Sequence, residues 1–275
     1  MNLGLTPLYF DTTLTGIRFS DPGKMPKKIN PMPEAIENGM LIPTLDRQGW
    51  IWLYEDEITK AYIDYSEQTK GTMLEIGAGY GHIVLKVLDK GARVIANDIS
   101  DDQLDIIKNR VPRDQQPRLK ILEGRFPEET DIPEKSIDGV LVSRVFHFFE
   151  GVKIRKSLHK VNRWLRKGGK IFIVADSVYR TIFKELIPIY EKRVTEGLEW
   201  PGLMGDIRKL IPKTRLNPKT VPKMMNFLDP NILRRELSYA GFGVEISSFF
   251  KYPCGPEFAR LDGREISGAI GVKQY

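Results

Sequence analysis

The fold is decided by one stretch of sequence, MLEIGAGYGHIVLKVLDKGARVIANDIS at residues 73–100. It begins with a short apolar run over 73–76, which predicts a buried strand. A glycine-rich turn follows at 77–81, and the apolar spacing of 83–88 then predicts a helix. A second strand is predicted over 93–97. The stretch therefore has the strand–helix–strand order of a parallel α/β unit.

The alternation of strand and helix continues along the chain. A helix with Ser100 as its N-cap, two strands, a long helix and a further strand are predicted over 101–110, 119–122, 137–142, 152–165 and 170–175. A helix over 230–240 precedes two strand-like runs, at 242–250 and 265–272, which predict an antiparallel hairpin at the end of the sheet. The sequence thus predicts a doubly wound α/β fold, with a mostly parallel sheet covered by helices on both faces.

Two acidic residues frame the glycine-rich turn. Glu75 stands two positions before Gly77, and Asp98 ends the second strand 21 positions after it. An acidic residue at the end of that strand can accept hydrogen bonds from ribose hydroxyls. A dinucleotide fold needs a small residue where His82 stands, and Glu75 would repel a pyrophosphate. A carboxylate there suits an ammonium group, which favours S-adenosylmethionine (SAM) over a dinucleotide or a turn that binds no ligand.

These residues resemble the first motif of the class I SAM-dependent methyltransferases, which reads E/D-x-G-x-G-x-G. The motif stands here as Glu75-Ile-Gly77-Ala-Gly79-Tyr-Gly81, and the resemblance covers 70–176 and resumes at 229–243. It implies a seven-stranded sheet with an antiparallel last strand, SAM as cofactor and S-adenosylhomocysteine (SAH) as product. The cofactor-binding residues that it implies are Glu75, Gly77, Ala78, Gly79, Asp98, Ile99, Arg125, Phe126 and Ser143.

The resemblance also implies a role for each part of the motif. Glu75 would lie near the methionine ammonium group, directly or through water. Residues 77–79 would line the methionine and the ribose. Asp98 would bind the ribose hydroxyls, with Ile99 packed against adenine.

The loops after the next two strands would complete the site. The resemblance places Arg125 and Phe126 beside adenine, where the family often has an acidic residue, and the segment 143–147 beneath the sulfonium. Methyl transfer needs mainly positioning and exclusion of water, and a base only where the acceptor arrives protonated. His147 is the candidate catalytic base, because it follows a strand at the mouth where substrates bind. The alternative is that His147 only packs among its aromatic neighbours.

Four other residues carry weaker expectations. His82 is a candidate for contact with cofactor or substrate, and Tyr80 either covers the methionine or faces solvent. His159 is expected at the surface. Cys254 is the only cysteine, which excludes an internal disulfide framework and a Cys-rich zinc site. No spacing of His, Asp and Glu predicts a metal site.

Composition narrows the class of protein only a little. The net charge of +6 permits acidic partners without arguing for any of them. No window approaches 18 uninterrupted apolar residues, so no membrane span is predicted. Residues 1–10 lack the pattern of a signal peptide, and a cytoplasmic location is expected. The oligomeric state is not readable from the sequence.

The chain is expected to divide into four segments. Residues 1–70 would be an N-terminal extension or lid, and 71–176 the SAM-binding core. Residues 177–228 would be a substrate cap inserted into the core, and 229–275 a helix and hairpin that complete the sheet. Within the first segment, 47–68 predicts an amphipathic helix with an aromatic lead-in, which either packs on the sheet edge or covers the substrate pocket.

Three functions follow from this organisation. A cap over the core favours methyl transfer to a small-molecule acceptor. A basic stretch without acidic residues supports a second hypothesis, methylation of a protein or a structured RNA. Its basic residues are Arg208, Lys209, Lys213, Arg215, Lys219 and Lys223. The third hypothesis is a module that binds SAM or SAH without catalysis.

Overall fold

The computed structural model describes residues 31–45, 49–209, 222–252 and 254–275. The α-helices in these ranges are α1 (Glu57–Thr69), α2 (His82–Asp89), α3 (Asp101–Arg110), α4 (Gly151–Trp164), α5 (Ile187–Thr195) and α6 (Pro230–Tyr239). The strands that precede α4 are β1 (Leu41–Pro43), β2 (Trp50–Trp52), β3 (Thr72–Ile76), β4 (Arg93–Asp98), β5 (Leu119–Glu123) and β6 (Ile137–Ser143). The later strands are β7 (Leu165–Asp176), β8 (Leu203–Met204), β9 (Met225–Asn226), β10 (Phe242–Phe250) and β11 (Ile266–Lys273). None of these helices combines the length and apolar character needed to cross a lipid bilayer.

Seven strands form the central sheet, in the order β10-β11-β7-β6-β3-β4-β5. The five strands from β7 to β5 are parallel. Strand β11 runs antiparallel to both β7 and β10. Because β11 is the last of these strands along the chain, the predicted fold with its antiparallel last strand is confirmed.

The order of the strands reverses beside β3. After β3 the chain adds β4 and β5 on one side, and then returns to place β6 and β7 on the other. A crevice forms at such a switch point, outside the carboxyl ends of the strands, and open parallel sheets bind their ligands there. We therefore expect a ligand-binding site in the crevice between β3 and β6.

Helices cover both faces of the sheet. Helices α1, α2 and α3 pack on one face, with buried side chains such as Tyr62 and Val84. Helices α4 and α6 pack on the other, with side chains such as Leu158. Neighbouring residues of β3 point to opposite clusters, Met73 to the first and Leu74 to the second. This two-sided burial confirms the doubly wound arrangement.

The segment 47–68 is only partly the predicted helix. Its aromatic lead-in forms β2, which pairs antiparallel with β1 in a small hairpin. Helix α1 begins after Asp56, whose side chain accepts the backbone N–H of Thr59 at 2.9 Å. The helix then packs on the sheet with Tyr62 fully buried. The aromatic lead-in is thus held as a strand by its pairing with β1, and the helix begins only at Glu57, after the Asp56 cap.

Two other regions differ in detail from the expectations. Strand β7 starts at Leu165, five residues before the predicted strand, because Leu165 pairs with Ile137 ahead of a bulge. Within 177–209 the chain forms a 3-10 helix at Thr181–Leu186, followed by α5 and β8. Strand β8 pairs with β9 in a separate two-stranded sheet. These elements share a small apolar cluster of their own, including Phe183, Tyr190 and Phe227.

Candidate functional site

A cavity of about 540 Å³ lies at the carboxyl ends of the parallel strands. Its volume is within the usual range for small-molecule sites, about 300–1,000 Å³. Every site residue predicted from the sequence lines it. These residues are Glu75, Gly77, Ala78, Gly79, Asp98, Ile99, Arg125, Phe126, Ser143 and His147.

The glycine-rich turn lets other parts of the chain approach its backbone closely. Gly77 and Gly79 have φ angles of 72° and 55°, in the left-handed region that favours glycine. A Cβ atom on Gly77 would lie 2.6 Å from a methyl carbon of Val145. A Cβ atom on Gly79 would lie 2.5 Å from Cδ1 of Ile51, in strand β2. The β1–β2 hairpin therefore packs directly over the turn, and a side chain at Gly79 would displace Ile51 and strain the left-handed backbone.

Asp98 holds the turn in place at the end of β4. One carboxylate oxygen accepts the backbone N–H of Gly79 at 2.8 Å. The other accepts from the backbone N–H of Ser100 at 2.9 Å and from the side chain of Gln103 at 3.1 Å. These bonds orient the carboxylate at the cavity wall, where only 6% of the residue is exposed.

Glu75 is a buried carboxyl group with an unused oxygen. Only 5% of the residue is exposed, and its Oε2 atom has no hydrogen-bond partner among the described residues. Burial and the nearby charge of Asp98 raise the pKa of Glu75 to about 8, against a hydrogen bond from the backbone of Val84 that lowers it. A cationic ligand in the cavity would supply the missing partner and stabilise the ionised form.

The cavity wall beyond Asp98 is less polar. Ile99 is 53% exposed, so its side chain offers an apolar surface to a ligand. Arg125 is exposed, and its backbone N–H donates to the Glu129 carboxylate at 2.8 Å. Phe126 is 4% exposed and packs with the rings of Phe146, Phe149 and Trp164. Phe126 thus belongs mainly to the core and reaches the cavity only at its edge.

The other part of the cavity lies at the ends of β6 and β7, and we call it the β6–β7 chamber. Its charged and polar lining includes Tyr54, Arg144, His147, Asp176 and Arg180. Its apolar lining includes Phe148, Ile182, Phe183, Met225 and Phe258. The chamber is therefore an apolar space with one charged wall.

Arg144 anchors the charged wall. Its φ angle of 57° is strained for a residue with a side chain, at a cost of about 1–2 kcal/mol. The backbone N–H of Arg144 donates to the carbonyl of Val174 at 2.7 Å, which holds this conformation. The guanidinium donates to the Tyr54 hydroxyl at 3.0 Å and to the Asp56 carboxylate at 3.2 Å. The strained turn thus points the guanidinium into the chamber rather than toward solvent.

Asp176, at the end of β7, completes the wall. Arg180 donates to its carboxylate and to the hydroxyl of Tyr252. Burial alone would raise the pKa of Asp176, but the charges of Arg180, His147 and Arg144 outweigh burial and hold it below its ordinary value. Asp176 is therefore a carboxylate at neutral pH, although it is buried.

His147 lies against this carboxylate. Its Nδ1 atom is 3.8 Å from Oδ2 of Asp176 and has no hydrogen-bond partner in the part of the chain that the structure describes. Burial lowers the pKa of His147 to about 4, against Asp176, which raises it, while Arg180 and Arg144 lower it further. The imidazole is therefore neutral at pH 7 and can accept a proton.

The weaker expectations have mixed outcomes. Both alternatives for Tyr80 are wrong, since Tyr80 is 1% exposed and its hydroxyl donates to the carbonyl of Pro43 at 2.8 Å. His82 lines the cavity, and His159 is exposed as expected. Cys254 is exposed as well. Within the described ranges, no cluster of His, Cys, Asp and Glu could hold a metal ion.

The basic stretch falls mostly outside the described ranges. Lys213, Arg215 and Lys219 lie within 210–221, which the structure does not describe. Arg208 and Lys209 precede that gap, and Arg208 pairs with Asp206. The role of the stretch stays a hypothesis from the sequence.

Sequence reasoning missed most of the charged wall. Asp176 could have been found, because it ends a predicted parallel strand and the carboxyl ends of such strands form the site. Tyr54 and Asp56 lie in 47–68, a segment for which covering the substrate pocket was one of two alternatives, but no pattern singled out these two residues. Arg144 lies within 143–147, the segment expected beneath the sulfonium, but its sequence position does not reveal the left-handed backbone that turns it inward.

Comparison with known protein families points to a single activity. Residues 74–173 match a family described as a methyltransferase domain. A protein of Staphylococcus carnosus named as an uncharacterized methyltransferase is 27% identical over 183 residues, which are 61% of this chain and 84% of that protein. Another of that name, from Alkaliphilus oremlandii, is 26% identical over 129 residues, 46% of this chain and 56% of that protein.

Solved structures share the fold. A putative SAM-dependent methyltransferase from Listeria monocytogenes has a TM-score of 0.55 at 14% identity, covering 79% of this chain and 99% of its own. The glycopeptide N-methyltransferase MtfA, complexed with sinefungin, has a TM-score of 0.53 at 16% identity, covering 80% of this chain and 86% of its own. At these identities the likeness concerns the fold alone.

The sheet order, the glycine-rich turn and the acidic ends of β3 and β4 define the class I SAM-dependent methyltransferases. Residues 74–173 of the chain match a methyltransferase domain, and the sheet around them has the fold of this class. The protein is an enzyme whose cofactor is SAM.

Proposed function

We propose that this methyltransferase acts on a small-molecule acceptor bound in the β6–β7 chamber. The observation that carries the proposal is a single cavity that extends from Glu75 and Asp98 to His147 and Asp176. Residues of the insert 177–228, such as Phe183 and Met225, line the chamber, which supports a substrate cap. An apolar chamber of this kind suits a compact organic molecule better than a polymer.

The cofactor half of the cavity fits SAM. The unpartnered Oε2 of Glu75 suits the methionine ammonium group, and the close-packed turn at 77–79 suits the methionine and ribose. Asp98 would accept hydrogen bonds from the ribose hydroxyls. The remaining contacts would come from residues at the ends of β4, β5 and β6. These are Ile99, Arg125, Phe126 and Ser143.

Catalysis would rest on positioning and on removal of one proton. SAM supplies an electrophilic methyl carbon on its sulfonium, and SAH is the product. The buried chamber excludes water from the acceptor. His147 would act as the base where the acceptor carries a proton, since its imidazole is neutral at pH 7. Nδ1 of His147 is 3.8 Å from Oδ2 of Asp176, so the carboxylate would stabilise the ring once it is protonated.

The test uses SAM labelled on its methyl group. The purified protein is incubated with a small-molecule extract, and in parallel with the protein and RNA fractions of the same cells. We expect the label in a small, extractable product and SAH in equal amount. Label confined to protein or RNA would contradict the proposal and favour the hypothesis built on 208–223. SAM binding without any SAH formed in either fraction would favour a module without catalysis.

A further inference from the structure

Two buried nitrogen atoms of the β6–β7 chamber stand opposite one carboxylate without bonding to it. Nε of Arg144 is 3.9 Å from Oδ1 of Asp176, and Nδ1 of His147 is 3.8 Å from Oδ2. Neither nitrogen has a hydrogen-bond partner among the residues that the structure describes. A hydrogen bond from nitrogen to oxygen spans about 2.7–3.2 Å. A small polar group beside Asp176 would give these nitrogens the hydrogen-bond partners that they lack, and we call its position the polar place.

The charges of the wall are already balanced. Asp56 pairs with Arg144, and Asp176 pairs with Arg180. His147 adds no charge near neutral pH, because burial keeps its pKa low. Within this wall a charged acceptor would find no unpaired charge of opposite sign, and an unpaired buried charge is strongly unfavourable. The paired charges of the wall therefore favour a neutral acceptor.

A group in the polar place must both donate and accept hydrogen bonds. Arg144 Nε–H is a donor only, and the Asp176 carboxylate is an acceptor only. An unprotonated ring nitrogen of His147 is an acceptor as well. A hydroxyl group meets all three demands through one oxygen atom, since it accepts from Arg144 and donates its proton to His147 or Asp176.

The apolar lining of the chamber suits a ring. Phe148, Phe183 and Phe258 contribute to it, together with Ile182 and Met225. Aromatic rings pack favourably on aromatic and thioether side chains. The polar place thus lies in a cavity whose other lining is apolar and largely aromatic.

We propose that the acceptor is a neutral ring compound methylated on a hydroxyl oxygen, with Arg144 and Asp176 positioning that hydroxyl beside His147. The inference rests on the proposed function and names its substrate class. The acceptor oxygen forms a bond to the methyl carbon, and the bond from that carbon to sulfur breaks with its electron pair passing to sulfur. The hydroxyl proton passes to the ring nitrogen of His147 and then to water, so that SAH and a methyl ether are the products.

The first experiment compares three probes that share one ring, 2-naphthol, 2-naphthylamine and 2-naphthoate. Calorimetry measures their binding to the SAH-loaded wild-type protein, and labelled SAM measures the rate of methyl transfer. We expect 2-naphthol to bind at least tenfold more tightly than the other two and to be the one methylated. Equal binding of the three, preference for the amine or carboxylate, or binding of none of them would overturn the proposal.

The second experiment tests the positioning residue. Arg144→Lys keeps the charge but removes the Nε–H donor, so we expect KM for 2-naphthol to rise about tenfold with SAH affinity unchanged. The matched control is Arg235→Lys, since Arg235 pairs with Glu236 and does not line the cavity. An unchanged KM in a folded Arg144→Lys protein would sink the role of Arg144.

The experiments distinguish a failure of the hydroxyl acceptor from a failure of the proposed small-molecule function. Small-molecule labelling with a preference for amines would overturn the hydroxyl acceptor and leave the proposed function standing. Label found only in protein or RNA would overturn both.

Discussion

At the scale of the residue, Glu75 is the most informative side chain of the site. Its carboxyl is buried, and its pKa of about 8 means that the protein without cofactor holds it mainly protonated at pH 7. An ammonium group beside it would favour the ionised form. We therefore expect SAM binding at pH 7 to release a proton, which calorimetry in buffers of different ionisation enthalpy measures.

The variant Glu75→Gln tests the role of this carboxyl group both in SAM binding and in the stability of the fold. SAM affinity should fall by about 10- to 100-fold, the loss of one charge-assisted hydrogen bond, and proton release should vanish. The pKa of Glu75 is raised in the folded state, so the folded protein binds more protons than the unfolded chain between about pH 4.5 and 8. Stability of the wild type therefore falls as pH rises through that window. Glu75→Gln should lose this dependence and melt at a higher temperature than the wild type at pH 8. Equal SAM affinity in both proteins would refute the role of Glu75.

At the scale of the element, the glycine-rich turn and the β1–β2 hairpin form one packed unit. Gly79→Ala would place a Cβ atom 2.5 Å from Ile51 in a left-handed backbone. We expect a loss of SAM affinity of tenfold or more, measured by calorimetry. The double variant Gly79→Ala with Ile51→Ala removes the contact but keeps the backbone strain of about 1–2 kcal/mol. It should recover part of the affinity, and no recovery would show that strain alone causes the loss.

The helices and strands of the core were predictable because their signals are local. The apolar run of β3, the glycines and Asp98 all lie within one stretch, and sequence spacing determines their geometry. The start of α1 was not predictable, since β2 is fixed by pairing with β1. Tyr80 shows the same limit, because its burial depends on Pro43 in a distant part of the chain. The charged wall joins three separate segments, so packing alone brings it together.

At the scale of the whole molecule, variants of the basic stretch test whether the substrate is a small molecule or a macromolecule. Charge reversal at Arg208, Lys209 and Lys223 should leave turnover of a small acceptor and SAM affinity unchanged. The reason is that the described basic residues of this stretch, Arg208, Lys209 and Lys223, do not line the cavity. A loss of turnover of tenfold or more, with SAM affinity intact, would point to a protein or RNA substrate instead.

The β1–β2 hairpin touches both halves of the cavity at once. Ile51 packs on the glycine-rich turn, while Trp52 stacks on Tyr252 and lies 5.9 Å from the Arg144 guanidinium. We expect this shared element to couple the two ligand sites, and a coupling between binding sites is reciprocal. SAH should tighten the binding of an acceptor by the same factor as the acceptor tightens SAH. The two products would then leave as a cooperating pair rather than independently.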